Sequence, residues 1–264
     1  MLRNKSPQPP LKPEKPSSPH CATVSFAELA SANIVGYANN DTVNGFTVVT
    51  PQFRNINDGN FSLLSFLAGE DMYDNLTVNQ IDEFGVAIHT YSWTTSADDG
   101  TDSYDKTGWA DDAYMIVTDP DAITFLPGES LMISAGEGAI QSAGQVRAED
   151  AKVQLRNGFT LAGNPYPVEV LVADILPFCE AGIEQTYDQM TLNLIDEFGV
   201  AVHTYSWTTS ADDGTGSYNK IGWADDDYMI INDTNKKVLA AGQGVLVSGA
   251  SDEHSIIIPA PELN

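Results

Sequence analysis

The chain has 264 residues and carries 12 lysines and arginines against 37 aspartates and glutamates, a formal net charge of −25. So acidic a surface repels phosphate backbones and anionic lipid headgroups, which excludes nucleic acid and membrane surfaces as expected partners, while cation binding and simple solubility stay open. Its two cysteines, Cys21 and Cys179, make no disulfide framework, metal site or nucleophile, and no apolar run of about 18 residues is present to span a membrane.

Residues 1–20 carry Pro7, Pro9, Pro10, Pro13, Pro16 and Pro19 with Arg3, Lys5, Lys12 and Lys15. Such a composition buries too little apolar surface to offset its ordering entropy. Residues 1–30 are therefore expected to be a disordered Pro-rich tail or a misassigned leader. Ala30-Ser31-Ala32 has the small-x-small look of a cleavage site, but the apolar segment of a secretory signal is missing. Either the protein is cytoplasmic or its true leader is absent from this sequence.

Strands are expected at Asn33 to Tyr37 and, after a turn at Asn44-Gly45, at Gly45 to Val49. Phe61 to Ala68 is apolar without alternation and predicts a short helix. Leu76 to Ile81 and Val86 to Trp93 flank Asp82-Glu83-Phe84-Gly85 as a hairpin. Tyr104 to Trp109, Tyr114 to Val117, Leu131 to Ser134 and Ala139 to Val146 complete the set, with a turn at Pro127-Gly128.

The segment from Ile81 to Ile116 then returns 114 residues later as Ile195 to Ile230. It changes only at Ile88/Val202, Asp102/Gly216, Asp105/Asn219, Thr107/Ile221 and Ala113/Asp227. Asn157-Gly158-Phe159-Thr160 repeats Asn44 to Thr47, and Gly242 to Ser248 matches Gly128 to Ser134, so the duplication covers whole units. Short strands bounded by turn residues predict a mainly β fold: two tandem, homologous β-sandwich or barrel-like domains, each with a short helix, at 31–148 and 149–264. The polar linker Arg147 to Asp150 is short enough to hold the two in contact.

Gly158-Phe159-Thr160-Leu161-Ala162-Gly163-Asn164-Pro165-Tyr166-Pro167, followed by Tyr205-Ser206-Trp207, Gly222-Trp223 and Gly242-Gln243-Gly244, resembles a β-rich module of secreted and surface proteins of Gram-negative bacteria. The first unit departs from it, with Thr50-Pro51-Gln52-Phe53 where the second has Gly163-Asn164-Pro165-Tyr166. The resemblance covers residues 31 to 261 and implies export, an extracellular or cell-surface location, and a structural or adhesive role without chemistry.

Alternation along Val86 to Trp93 puts His89, Tyr91 and Trp93 on one face. With Trp109, and with His203, Tyr205, Trp207 and Trp223 in the second unit, these are the candidate ligand-binding residues. Flat rings stack on sugars, yet large aromatics also fill β cores, and the core is the preferred reading. Single histidines argue against zinc. Asp98, Asp99, Asp102 and Asp105 around Gly100 resemble the oxygen set of a calcium loop, although the spacing is not that of an EF-hand and the second copy loses two of the four. Asp111-Asp112 and Asp225-Asp226 beside tryptophans suggest a glycosidase carboxylate pair, but charged residues at a strand edge also block edge pairing. Neither a Gly-x-Ser-x-Gly elbow nor a His-Glu-x-x-His motif occurs. The sequence thus points to a non-enzymatic secreted or surface protein with no cofactor other than calcium and with polysaccharide or other surface proteins as partners. A pair of carbohydrate-binding modules is the second reading and a glycoside hydrolase the third.

Overall fold

The structure, a computed structural model, describes residues 35–54, 61–63, 66–67 and 72–261. The expectations for residues 1–30, including Cys21, lie outside them. The first repeat runs β1 (Val35–Thr42), β2 (Gly45–Val49), β3 (Phe53–Arg54), β4 (Phe61–Ser62), β5 (Phe66–Leu67), β6 (Leu76–Ile81), β7 (Ala87–Asp98), β8 (Tyr104–Ala110), β9 (Thr124–Phe125), β10 (Leu131–Ala135) and β11 (Gly138–Val146). The second runs β12 (Ala151–Gln154), β13 (Gly158–Gly163), β14 (Val170–Leu171), β15 (Leu176–Cys179), β16 (Thr191–Ile195), β17 (Ala201–Ala211), β18 (Lys220–Ala224), β19 (Val238–Leu239), β20 (Gly244–Ala250) and β21 (His254–Ile258). The fold is mainly β, in several antiparallel sheets.

Each repeat builds a five-stranded sheet of one topology, β2-β10-β6-β7-β8 in the first and β13-β20-β16-β17-β18 in the second. A smaller sheet covers each: β1-β11-β3, with β5 also on β11, and β12-β21-β15. Alternation explains which side faces in. On β6, Leu76 and Val78 are buried, and on β10 so are Leu131, Ile133 and Ala135, while the residues between them are half-buried. Ile140 of the small sheet joins Leu76, Val78, Tyr91, Trp109 and Leu131 in one apolar cluster, so the core lies between the sheets. The second repeat does the same with Val153, Ile256, Leu192, Val247 and Trp223. Each fully buried leucine or isoleucine contributes roughly 1.5–3 kcal/mol relative to exposure.

The repeats meet about a pseudo-twofold axis, made visible by contacts that occur in matched pairs. Phe46 donates its N–H to the Glu197 carbonyl (2.9 Å), and the counterpart Phe159 donates to Glu83 (2.8 Å). Thr50 donates to Gly242 (2.8 Å) as Gly163 does to Gly128 (3.0 Å). The bridge Val49 to Gln243 is mirrored by Ala162 to Glu129. A third apolar cluster sits across this contact, pairing Val48 with Leu161 and Ile81 with Ile195. The tip of each hairpin, Asp82 to Val86 and Asp196 to Val200, therefore reaches over the other repeat. Gly45 and Gly158 lie at φ +136° and +132°, and a Cβ on either would strike the opposing carbonyl, Glu197 or Glu83, so glycine is required for the approach.

The sequence expectations hold for β2 and β6 and shift at other ends. The short helix expected at Phe61 to Ala68 is corrected: Phe61–Ser62 and Phe66–Leu67 are strands, with residues 64, 65 and 68 outside the described set. Phe61 pairs with Phe125 and Phe66 with Ser142, so their apolar run serves two ladders rather than one helical face. The matching stretch of the second repeat has a single 3-10 turn, Val172–Asp174, between β14 and β15. Tyr114 to Val117 is no strand of its own. Tyr114 takes φ +60° and Met115 and Ile116 make only isolated bridges, to Asp98 and Ala110.

Candidate functional site

β7 and β17 carry the duplicated residues, and the structure splits them by position along the strand. Their first residues project past the core as the arm of a hairpin, and their middles cross it. His89 and His203 are exposed, whereas Tyr91 (8% exposed), Tyr205 (5%) and Trp207 (7%) lie in the core. Trp109 and Trp223 are buried on β8 and β18, at 4% and 1%. Trp93 is half-buried between Tyr73, stacked at 5.1 Å, and Trp109, tilted at 5.3 Å. Tyr187, Trp207 and Trp223 repeat that ladder at 5.8 and 5.3 Å. The Trp223 Nε1–H donates to the Ile175 carbonyl at 2.7 Å, which satisfies its polar edge inside the core. The exposed Tyr/Trp platform that sugar binding requires is therefore corrected: five of these six rings are core, and the sixth is the middle of a stack.

The exposed end of each strand bears a histidine, and the two aspartates that follow the neighbouring strand, β8 or β18, lie beside it. His203 Nδ1 lies 3.0 Å from Asp226 Oδ2, and His89 Nδ1 lies 3.5 Å from Asp112 Oδ2. The other oxygen of each carboxylate accepts a backbone N–H, from Thr204 at 2.8 Å and from Thr90 at 2.6 Å. His203 and the Thr204 N–H hold the Asp226 carboxyl below its ordinary value. Burial pushes the Tyr205 phenol up, helped by the charges of Asp226 and Asp225, and Tyr91 is raised by burial with Asp112 and Asp111.

Asp225 is committed to its turn. Partial burial works to raise its pKa, but hydrogen bonds from the Asn235 amide and the Met229 and Asp227 N–H groups, with Lys237 nearby, outweigh it and hold the carboxyl ionised. Asp111 accepts from the N–H groups of Ala113 and Met115 in the same way. A general acid needs its pKa raised, and that of Asp225 is lowered; by their hydrogen bonds both Asp225 and Asp111 act as turn caps.

The acidic loop is equally self-satisfied. Buried Asp98 accepts from the N–H groups of Gly100 (2.9 Å) and Thr101 (3.2 Å). Asp99 takes the Thr101 hydroxyl at 2.6 Å, and Lys106 bridges Asp99 and Asp105, each at 3.1 Å. Asp102 stands in left-handed backbone at φ +58°, where the second repeat has Gly216 at +77°. Asp98, Asp99 and Asp105 thus turn to backbone, hydroxyl and ammonium donors, and no group of three or more metal-ligating side chains forms among the described residues. Cys179 is buried and free.

The sequence reading missed that each histidine has an aspartate partner, because the pairing joins neighbouring strands and no local spacing shows it. What remains exposed on the duplicated hairpins is apolar: Phe84, Val86 and Ile88 in one repeat and Phe198, Val200 and Val202 in the other, with the two phenylalanines 75% and 76% exposed. No helix among the described residues is long and apolar enough to cross a membrane. No family model, curated protein or solved structure matches the chain.

Proposed function

We propose that this is a non-enzymatic secreted or cell-surface protein with a structural or adhesive role, built as two tandem homologous β-sandwich domains. One observation carries the reading. Both repeats leave the same apolar ridge uncovered, Phe84-Val86-Ile88 and Phe198-Val200-Val202, while Tyr91, Tyr205 and Trp207 a few positions further along the strand are in the core. Contiguous exposed apolar surface marks contact sites, and two equal contacts on one molecule hold a surface by avidity. The turn-capping roles of Asp111 and Asp225 support the absence of hydrolytic chemistry, and the net charge of −25 favours a protein that stays dispersed until it meets a surface. Other surface proteins are the partners that suit apolar ridges best.

The test has two arms. Adsorption to a hydrophobic sensor surface is expected to fall when Phe84→Ser and Phe198→Ser are combined, and a panel of glycosides and esters is expected to remain intact. Turnover of any of these substrates, or adsorption unchanged by the double variant, contradicts the proposal.

A further inference from the structure

The pseudo-twofold relates two clefts at the contact between repeats. Every residue lining the smaller, of about 80 Å³, has its sequence counterpart in the lining of the larger, of about 470 Å³. In the smaller cleft Arg156 reaches across the contact, and its Nη1 donates to the Ile81 carbonyl of the other repeat at 2.6 Å. Its backbone N–H is fixed on Thr160 Oγ1 at 2.9 Å. In the larger cleft that position is held by Val43, with its own N–H on Thr47 Oγ1 at 3.3 Å. The β-bulge that marks Ile81 recurs at Ile195. Valine has no donor to offer, so the Ile195 carbonyl receives no guanidinium from this chain position.

Among the other matched positions Glu129 of the smaller cleft becomes neutral Gln243, and the remaining changes of charge run toward acid. Lys152 and Gln154 of the smaller cleft become Asn39 and Asp41, and the larger also takes in Asp196 and Glu197 with no basic residue among its lining. Apolar Val153, which packs on Gly128, becomes Asn40, whose amide oxygen lies against Gly242. Gln52 lies behind the lining, also against Gly242. It is fully buried, and its Oε1 has no hydrogen-bond partner. One cleft is thus filled by its own cation, while its twin is larger, acidic and rich in acceptors.

We propose that the larger cleft binds a guanidinium group, the arginine side chain of a polypeptide partner, in the place that Arg156 occupies in the smaller one. A planar guanidinium offers five donors and makes charge-assisted bonds to carbonyls and carboxylates, which a lysine ammonium reproduces poorly. A polypeptide source is favoured over free arginine, because the free amino acid brings a carboxylate toward Asp41, Asp196 and Glu197. This site is independent of the apolar ridges.

Calorimetric titration of the full chain with N-acetyl-Ala-Arg-Ala-amide, its lysine analogue and free L-arginine tests the proposal. One saturable site per chain is expected, with the arginine peptide bound at least about tenfold more tightly than the lysine peptide and more tightly than the free amino acid. Val43→Arg fills the cleft from within and is expected to abolish binding. Arg156→Ala empties the twin and is expected to raise the stoichiometry to two. Asp41→Lys, at an exposed strand end, weakens binding without disturbing the interior and keeps the test decisive if Val43→Arg perturbs packing. No saturable binding, or binding unchanged by both Val43→Arg and Asp41→Lys, overturns the site. A stoichiometry of one in Arg156→Ala overturns the equivalence of the clefts, and free arginine binding as well as the peptide overturns the polypeptide source.

Discussion

Asn164 is a hub of side-chain hydrogen bonds. It is fully buried, its amide reaches the carbonyls of Val168 (2.6 Å), Ala240 (3.0 Å) and Leu239 (3.2 Å), and its oxygen accepts the Tyr166 N–H at 3.0 Å. Asn164→Ala removes a donor from these carbonyls, that of Leu239 buried, and is expected to cost about 2–3 kcal/mol in urea unfolding. Next to it, the Tyr166 hydroxyl lies 2.8 Å from the Glu149 carbonyl and 3.1 Å from that of Ile258, sharing its one proton between them and tying the linker to β21. Burial pushes this phenol up to about 12 from its ordinary 10.0, with Asp150 adding to the shift and Arg147 opposing it. The folded value lies above the unfolded one, so its contribution is complete below pH 10 and is lost as pH rises toward 12. Tyr166→Phe is expected to lower stability at neutral pH and to flatten the decline over that alkaline window. In the sequence Gly163 to Pro167 stands out only as part of the motif that carries the resemblance. The sequence could not show Asn164 as a buried hub, because two of the carbonyls it serves lie some 75 residues further along the chain.

At the scale of the element, the acidic loop shows one composition open to two uses. Asp98, Asp99, Asp102 and Asp105 have the composition of a cation loop, but turns use the same residues to cap their own backbone. The difference between the copies follows from backbone conformation: at φ +58° Asp102 is strained, and Gly216 adopts the same region freely. Asp102→Gly is expected to leave the melting temperature unchanged or slightly raised. Asp98→Ala, which removes an acceptor from two N–H groups, is expected to lower stability by about 1 kcal/mol. Added calcium is expected to shift neither variant nor the wild-type chain. A calcium-dependent rise lost in Asp102→Gly would restore the metal reading.

Strands were legible wherever alternation met turn residues, as in Leu76 to Ile81, where Leu76 and Val78 point inward. Phe61 to Ala68 was illegible because its phenylalanines pair with strands distant in sequence, so no local period records their partners. The aromatic block was legible as core only as a preference, since alternation places His89, Tyr91 and Trp93 on one face. How far along β7 that face is covered depends on where the opposing sheet ends, which is a tertiary fact.

At the scale of the whole molecule, the duplication folds back on itself as an internal pair. The contact is isologous in the manner of a symmetric dimer, with Phe46 on Glu197 matched by Phe159 on Glu83. Gly45→Ala and Gly158→Ala each drive a methyl group into the opposing carbonyl and force alanine to positive φ. Either is expected to destabilise by about 1–3 kcal/mol, and the two together to loosen the repeats, so that one thermal transition separates into two in calorimetry. A single unchanged transition in the double variant would contradict the pairing.

This clasp fixes one apolar ridge relative to the other, and a surface-binding protein with two fixed contacts is released slowly because both must detach together. The most direct measurement is therefore the dissociation rate from a hydrophobic sensor surface for four chains: wild type, Phe84→Ser, Phe198→Ser and the double variant. Equal acceleration of release by either single substitution, and a larger loss of adsorption in the double variant, is the predicted result. Release from either single variant as slow as from wild type would contradict a two-ridge adhesive role.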